Sequence, residues 1–224
     1  MLNTTMIKNN LTEFWENNVV KSDKHFVETL SEEKIERMTQ RVDEFILSNL
    51  DFSKIETVLD WGCGGGLFAK ILSKKTNIIL ADISTESLKK AQSYLEDNYI
   101  KSIQIPENLN NFNPLEQKID LIFSHTVIHH FPSYEYWCKV FDIWTKKIKP
   151  EYFGLQIKIG DKTTVRSDYF KDENYLNALY LEETEFVNKF RDAGYKKINA
   201  GYRINKYKDS DKIMKVGYFV FQKN

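Results

Sequence analysis

Hydrophobic and polar positions along the chain change period several times. Behind Ser31, a serine cap followed by Glu32 and Glu33, apolar residues recur at helical spacing as Ile35, Met38, Val42, Phe45, Ile46 and Leu50, which predicts a helix to about residue 50. Short apolar runs then alternate with amphipathic stretches. The runs predict strands near 57–61, 78–82, 102–105, 119–124 and 152–159; the stretches predict helices over 67–75, 84–98, 133–148 and 182–193, the last stopped by Gly194. The segment 160–181 reads as irregular. Residues 195–204 and 212–222 read as two strands joined by a polar loop, the second alternating through Met214, Val216, Tyr218 and Val220. Strand and helix in turn imply an α/β fold. The organisation expected is one domain overall, with residues 1–50 as a helical cap, anchored by aromatics such as Phe14, Trp15 and Phe26, ahead of a ligand-binding body over 51–224.

Composition narrows the function classes. At 224 residues the chain suits a single α/β domain with an added cap. Its 32 basic and 32 acidic residues cancel, so no overall field gathers polyanions and nucleic acid is not expected as a partner. Cys63 and Cys138 lie far apart and form neither a disulfide framework nor a zinc pattern, which fits a reducing cytoplasm. Neither a secretory leader nor an apolar run of about 18 residues is visible, so no membrane partner is expected.

The most informative stretch is Thr57-Val58-Leu59-Asp60-Trp61-Gly62-Cys63-Gly64-Gly65-Gly66-Leu67-Phe68, a strand that ends in a glycine turn opening into a helix. Glycines let such a turn take positive φ and let a ligand lie against main-chain amides. Two cofactor classes use that geometry. A dinucleotide turn wants G-x-G-x-x-G; Gly62 and Gly64 fit, but Leu67 takes the third slot and Asp60 would repel a pyrophosphate. S-adenosylmethionine carries an ammonium and a sulfonium instead, and for it Asp60 is an asset.

The run Asp60-Trp61-Gly62-Cys63-Gly64-Gly65-Gly66 resembles the first motif, E/D-x-G-x-G-x-G, of the class I S-adenosylmethionine-dependent methyltransferases, and Ile78-Ile79-Leu80-Ala81-Asp82 supplies the acid that ends the family's next strand. The resemblance extends to Ile119-Asp120-Leu121-Ile122-Phe123-Ser124 and the following His125-Thr126-Val127-Ile128-His129-His130-Phe131-Pro132, which is similar to the fourth-strand region of the small-molecule members. It implies a doubly wound, seven-stranded, mostly parallel Rossmann-like sheet closed by a C-terminal antiparallel hairpin. It further implies a cofactor site built from Asp60, Gly62, Cys63, Gly64, Asp82, Ile83, Gln104, Ser124 and His125, with Asp82 on the ribose hydroxyls. Gln104 is the nearest positional match to the acid that often meets adenine; Glu107 and Asn108 are alternatives.

Three of the four histidines fall within 125–130. Methyl transfer to a hydroxyl needs a proton acceptor, and imidazole suits that role. His129 is the expected general base, with His130 next and His125 nearer the methionine moiety; a histidine donating to a carbonyl would be the purely structural alternative. His125 and His129, four apart, would share a face if helical, so a divalent metal is conceivable but not favoured, because no carboxylate is adjacent in sequence. Arg166 and Tyr169, in the irregular segment, are the candidate substrate contacts and suit an anionic small molecule. The amino-methylating Asn/Asp-Pro-Pro-Tyr signature is replaced by Ser124-His125-Thr126-Val127, and neither cysteine follows a proline as cytosine C5 chemistry requires. The expected activity is transfer of a methyl group to a small-molecule hydroxyl, for example of a sugar or sugar nucleotide. A nicotinamide-dependent oxidoreductase and a non-catalytic cofactor-binding scaffold are the competitors, and the oligomeric state is left open.

Overall fold

The computed structural model describes residues 12–13, 15–16, 30–95, 98–113, 115–165, 179–206 and 213–224. Phe14, Phe26, Arg166 and Tyr169 lie outside the described residues. The backbone groups into two compact units, residues 1–41 with 51–123, and residues 42–50 with 124–224.

In the first unit, β1 (Thr57–Trp61) lies between β2 (Asn77–Asp82) and β4 (Leu121–Ser124), and β3 (Tyr99–Gln104) lies outside β2, every pairing parallel. All five residues of β1 are buried, as befits a strand covered on both faces. The glycine turn leads into α2 (Leu67–Leu72), and Ser84 caps α3 (Thr85–Ser93) by accepting from the Ser87 amide. The helix α1 (Glu32–Phe45) precedes β1.

The second unit is organised on β5 (Tyr152–Gly160), which pairs antiparallel with β9 (Ile213–Lys223); β9 pairs antiparallel with β8 (Tyr195–Lys206). Ser133 caps α4 (Tyr134–Asp142), which runs into a π-helical turn at Ile143–Ile148 and stops where Lys149 takes φ 57° before Pro150. The helix α5 (Glu183–Asp192) is capped by Glu182 through the Thr184 and Glu185 amides and ends at Gly194, φ 88°. Its apolar face meets an aromatic core: the Phe190 ring stacks on Phe221 at 4.1 Å and meets Phe153 edge-on at 5.0 Å, while Trp137 stacks on Phe186.

Three expectations are corrected. The first helix ends at Phe45, because Ile46 leaves helical geometry at φ −121° and a 3₁₀ turn spans Leu47–Asn49. The helix expected over 84–98 ends at Ser93, and β3 begins three residues early at Tyr99, immediately after Asn98 turns the chain at φ 59°. The region expected to be irregular holds two short strands, β6 (Thr164–Val165) and β7 (Leu179–Glu182); β7 pairs with β5 at Ile159 and Gly160.

Gly66 sits at the packing limit of the first unit. Its φ is 83°, and a Cβ there would lie 2.8 Å from the Ala91 Cα on α3. Gly66→Ala is therefore expected to destabilise the protein by about 1–3 kcal/mol through backbone strain and overpacking together, read as a lower denaturation midpoint with an unchanged denaturant slope.

Candidate functional site

The glycine turn is drawn shut by its own main chain. The Gly62 and Cys63 amides both donate to the Ala81 carbonyl, at 2.7 and 3.1 Å, and the Gly66 amide donates to the Cys63 carbonyl at 3.0 Å. The Gly64 amide donates to Asp82 Oδ2 at 2.9 Å, while Asp82 Oδ1 accepts from the Ser84 amide at 3.0 Å. Four of the turn's amides are thereby committed within the protein. A pyrophosphate needs such amides free; an adenosyl sulfonium does not.

The electrostatics point the same way. Asp60 is 3% exposed, and its Oδ2 has no hydrogen-bond partner among the described residues. Burial, with the Asp82 charge added, pushes the Asp60 pKa up to about 8. Burial likewise pushes Asp82 up to about 6, although the Ser84, Gly64 and Ile83 amides favour its charged form. Cys63 is buried and its thiol is pushed well up, chiefly by desolvation, so it is no nucleophile. Two confined carboxyl groups, one with an unmet oxygen, form a donor set that fits a cationic ligand. Asp82 keeps lone pairs for ribose hydroxyls beyond the two amides it holds. Gln104, opposite Asp82 in the β2–β3 register, turns its amide nitrogen to the Ile83 carbonyl at 3.4 Å, so Asp82, Ile83 and Gln104 come together at one strand end. The Asn108 side chain instead holds the following turn by accepting from the Asn110 amide.

Sequence reasoning did not find Glu16. Its carboxylate accepts from the Thr85 amide at 2.7 Å, the Thr85 hydroxyl at 2.8 Å, the Ser84 hydroxyl at 3.1 Å and the Glu86 amide at 3.3 Å. It caps α3 from 69 residues away, at the helix end next to Asp82. Burial works against its charge, yet these donors hold its pKa below the ordinary value. No local pattern signals such a contact.

In the second unit, Ser124 is fully buried at the end of β4. Thr126 takes φ 63° and donates its amide to the Gln156 side chain on β5 at 2.8 Å. A 3₁₀ turn at Ile128–His130 follows. His125 and His129 consequently do not share a helix face, the arrangement on which a shared metal depended. Among the described residues no group of three or more His, Cys, Asp or Glu could hold a metal ion. The His125 Nδ1 pairs with the Thr126 hydroxyl at 2.7 Å. His129 is 3% exposed, its ring lies 4.0 Å from that of His130, and its Nδ1 has no hydrogen-bond partner among the described residues. Burial, then the Arg203 charge, lowers the His125 pKa to about 3; burial, then His130, Lys158 and His125, lowers that of His129 well below the ordinary value.

Comparison with known proteins agrees with this geometry. Residues 58–151 match the family model described as a methyltransferase domain. Over residues 58–151 the chain is therefore similar to the class I S-adenosylmethionine-dependent methyltransferases. Its fold is the Rossmann-like α/β fold of that class, mostly parallel with antiparallel C-terminal strands. The magnesium protoporphyrin IX methyltransferase of Synechocystis with bound S-adenosylmethionine aligns over 100% of this chain and 99% of its own, at TM-score 0.62 and 14% identity. The N-methyltransferase NodS of Bradyrhizobium japonicum, solved with S-adenosylhomocysteine, aligns over 96% and 98%, at TM-score 0.66 and 12% identity. Among curated proteins, ribosomal RNA small subunit methyltransferase C of Haemophilus influenzae is 32% identical over 89 residues, 38% of this chain and 26% of that protein. The chain thus matches about a quarter of the length of that relative. S-adenosylmethionine or its demethylated product is the ligand held by these neighbours of the fold.

The confined Asp60 makes stability depend on pH with a definite sign. Between the unfolded carboxyl's pKa of about 4 and the folded value near 8, the folded chain keeps a proton that the unfolded chain has lost, so stability falls as pH rises. In the ligand-free protein, Asp60→Asn is expected to remove that fall and to stabilise the fold by at least about 1 kcal/mol at pH 8 relative to the parent, with a smaller gain at pH 5, measured by denaturant titration at both pH values.

Proposed function

We propose that this chain transfers the methyl group of S-adenosylmethionine to the hydroxyl oxygen of a small molecule, such as a sugar or sugar nucleotide, with His129 as general base. The observation that carries the proposal is the buried, unpartnered Nδ1 of a histidine whose environment keeps it neutral. Bound S-adenosylmethionine supplies an activated methyl group on a sulfonium. Transfer forms an O–CH₃ bond, breaks the S–CH₃ bond with the electron pair going to sulfur, and releases the hydroxyl proton, which the His129 Nδ1 lone pair takes. Asp60 offers its unmet oxygen to the ammonium, Asp82 accepts from the ribose hydroxyls, and Gln104 offers its amide oxygen to the adenine amino group. His130 packs on His129 and is the second candidate for the proton. Positioning carries much of the remaining barrier, a contribution of about 7–11 kcal/mol in well-oriented systems.

The domain's curated relatives favour a second reading, an RNA acceptor. Against it stand the balanced charge of the chain and the Ser124-His125-Thr126-Val127 sequence where amino-methylating enzymes carry Asn/Asp-Pro-Pro-Tyr. No described helix is long and apolar enough to cross a membrane, and Cys63 and Cys138 are free thiols, which supports action in a reducing cytoplasm.

Methyl-labelled cofactor offered with a panel of hydroxylated small molecules and, separately, ribosomal RNA decides between the two readings. Label is expected in an ether or ester oxygen of a small molecule; label in RNA would overturn the assignment. His129→Gln is expected to lower turnover about 10²–10⁴-fold while S-adenosylhomocysteine affinity, measured by calorimetry, stays within about twofold. Because the His129 pKa is lowered, its neutral form persists as pH falls, so the acid limb of kcat/KM is expected below pH 6.5; a limb centred at or above the ordinary histidine value would exclude His129 as the base.

A further inference from the structure

Two carboxylates hold Ser84 from different parts of the chain. Asp82, two residues before it, accepts from the Ser84 amide at 3.0 Å, and Glu16, 68 residues before it, accepts from the Ser84 hydroxyl at 3.1 Å. The hydroxyl oxygen itself accepts from the Ser87 amide at 3.0 Å. Glu16 takes the Thr85 and Glu86 amides and the Thr85 hydroxyl as well, so the first-turn donors of α3 are shared between a local serine and a distant acid.

A cap alone does not call for this acid. Ser84 already caps α3 from within the turn, whereas Glu16 must be ordered from far along the chain, against burial and near the like charge of Asp82. What the contact adds is a fixed Ser84. The terminal torsion of an aspartate is soft, so the direction of its lone pairs is set by the donors it meets. For Asp82 one oxygen is held by the Gly64 amide and the other by the Ser84 amide. Release of Ser84 would leave the second oxygen untethered and let the carboxylate turn.

We propose that Glu16 is a positioning residue of the cofactor site: it holds Ser84 in place so that Asp82 keeps its remaining lone pairs aimed at the ribose hydroxyls. The path runs from the Glu16 carboxylate through the Ser84 hydroxyl and amide to the Asp82 carboxylate, and Glu16 itself stays off the ligand. This rests on the reading of Asp82 as the ribose acceptor and extends that site's support to the N-terminal part of the chain. Linkage makes the effect mutual, because a ligand that favours the oriented carboxylate also favours the tie that orients it.

The test is a cycle on the full chain between one side chain and the ribose. S-adenosylhomocysteine and its 2′,3′-dideoxy analogue, which lacks the ribose hydroxyls, are titrated calorimetrically into the parent and into Glu16→Gln. The substitution keeps the length of the side chain and sets an amide nitrogen, a donor, where one accepting oxygen stood. The parent is expected to bind S-adenosylhomocysteine at least about tenfold more tightly than the analogue. Glu16→Gln is expected to weaken S-adenosylhomocysteine at least about fivefold and the analogue less than about twofold, so that discrimination for the ribose shrinks. A residue that merely stabilises α3 would weaken both ligands alike; that result, or undiminished affinity for S-adenosylhomocysteine, overturns the inference. Should Glu16→Gln lose its cooperative unfolding transition, Thr85→Val takes its place; it removes one hydroxyl donor to Glu16, keeps the amide, and must reduce the discrimination at least about twofold. Failure of the underlying reading shows in the parent: equal binding of the two ligands, or no binding of either, removes Asp82 as the ribose acceptor and the role of Glu16 with it.

Discussion

The Asp82 carboxylate ties the glycine turn to the strand beside it, and the proposed cofactor site depends on that tie. By accepting from the Gly64 and Ser84 amides it fixes the turn and the start of α3 at once. It also brings a second acid close to Asp60, which burial and that neighbour together hold partly protonated. With Gly62, Cys63, Gly64 and Gly66 all donating inward, the turn presents carboxylate character where a dinucleotide turn presents free amides. The preference proposed here for a cationic thioether over a pyrophosphate rests on which backbone donors are already used.

Each unit has its own electrostatic character. The first gathers Asp60, Asp82 and Glu16 around a strand end and a helix N-terminus. Backbone donors in α3 stabilise Glu16, whereas Asp60 meets no donor at Oδ2, so the acids are unequal: one serves structure and one is left with an unmet oxygen. The second unit gathers Lys158, Arg203 and three histidines over an antiparallel ladder backed by aromatic packing.

Burial also reshapes what the histidines can do. An exposed imidazole would be half protonated in mildly acidic solution, whereas His125 and His129 are held neutral by desolvation and by neighbouring cations. Neutrality keeps the Nδ1 lone pair of His129 available at low pH at the expense of basic strength.

Local chemistry alone determined much of this molecule. The buried run ending at Asp60, the glycines after it, the serine caps at Ser84 and Ser133 and the stop at Gly194 all act over a few residues, and each appears where the sequence predicts it. The order of strands and helices and the acid at Asp82 were legible for the same reason. Tertiary structure decided what depends on distant partners: Glu16 capping a helix 69 residues on, the Thr126 amide reaching Gln156 in a turn that keeps His125 and His129 off a common helix face, and the row of Lys158, Val216 and Arg203. Periodicity says which face of a strand is apolar, but register says which residues stand opposite, and register is set by pairing across the whole chain. The unmet oxygen of Asp60 and open nitrogen of His129 belong to that second class, because burial is a property of the packed fold and no single segment carries it.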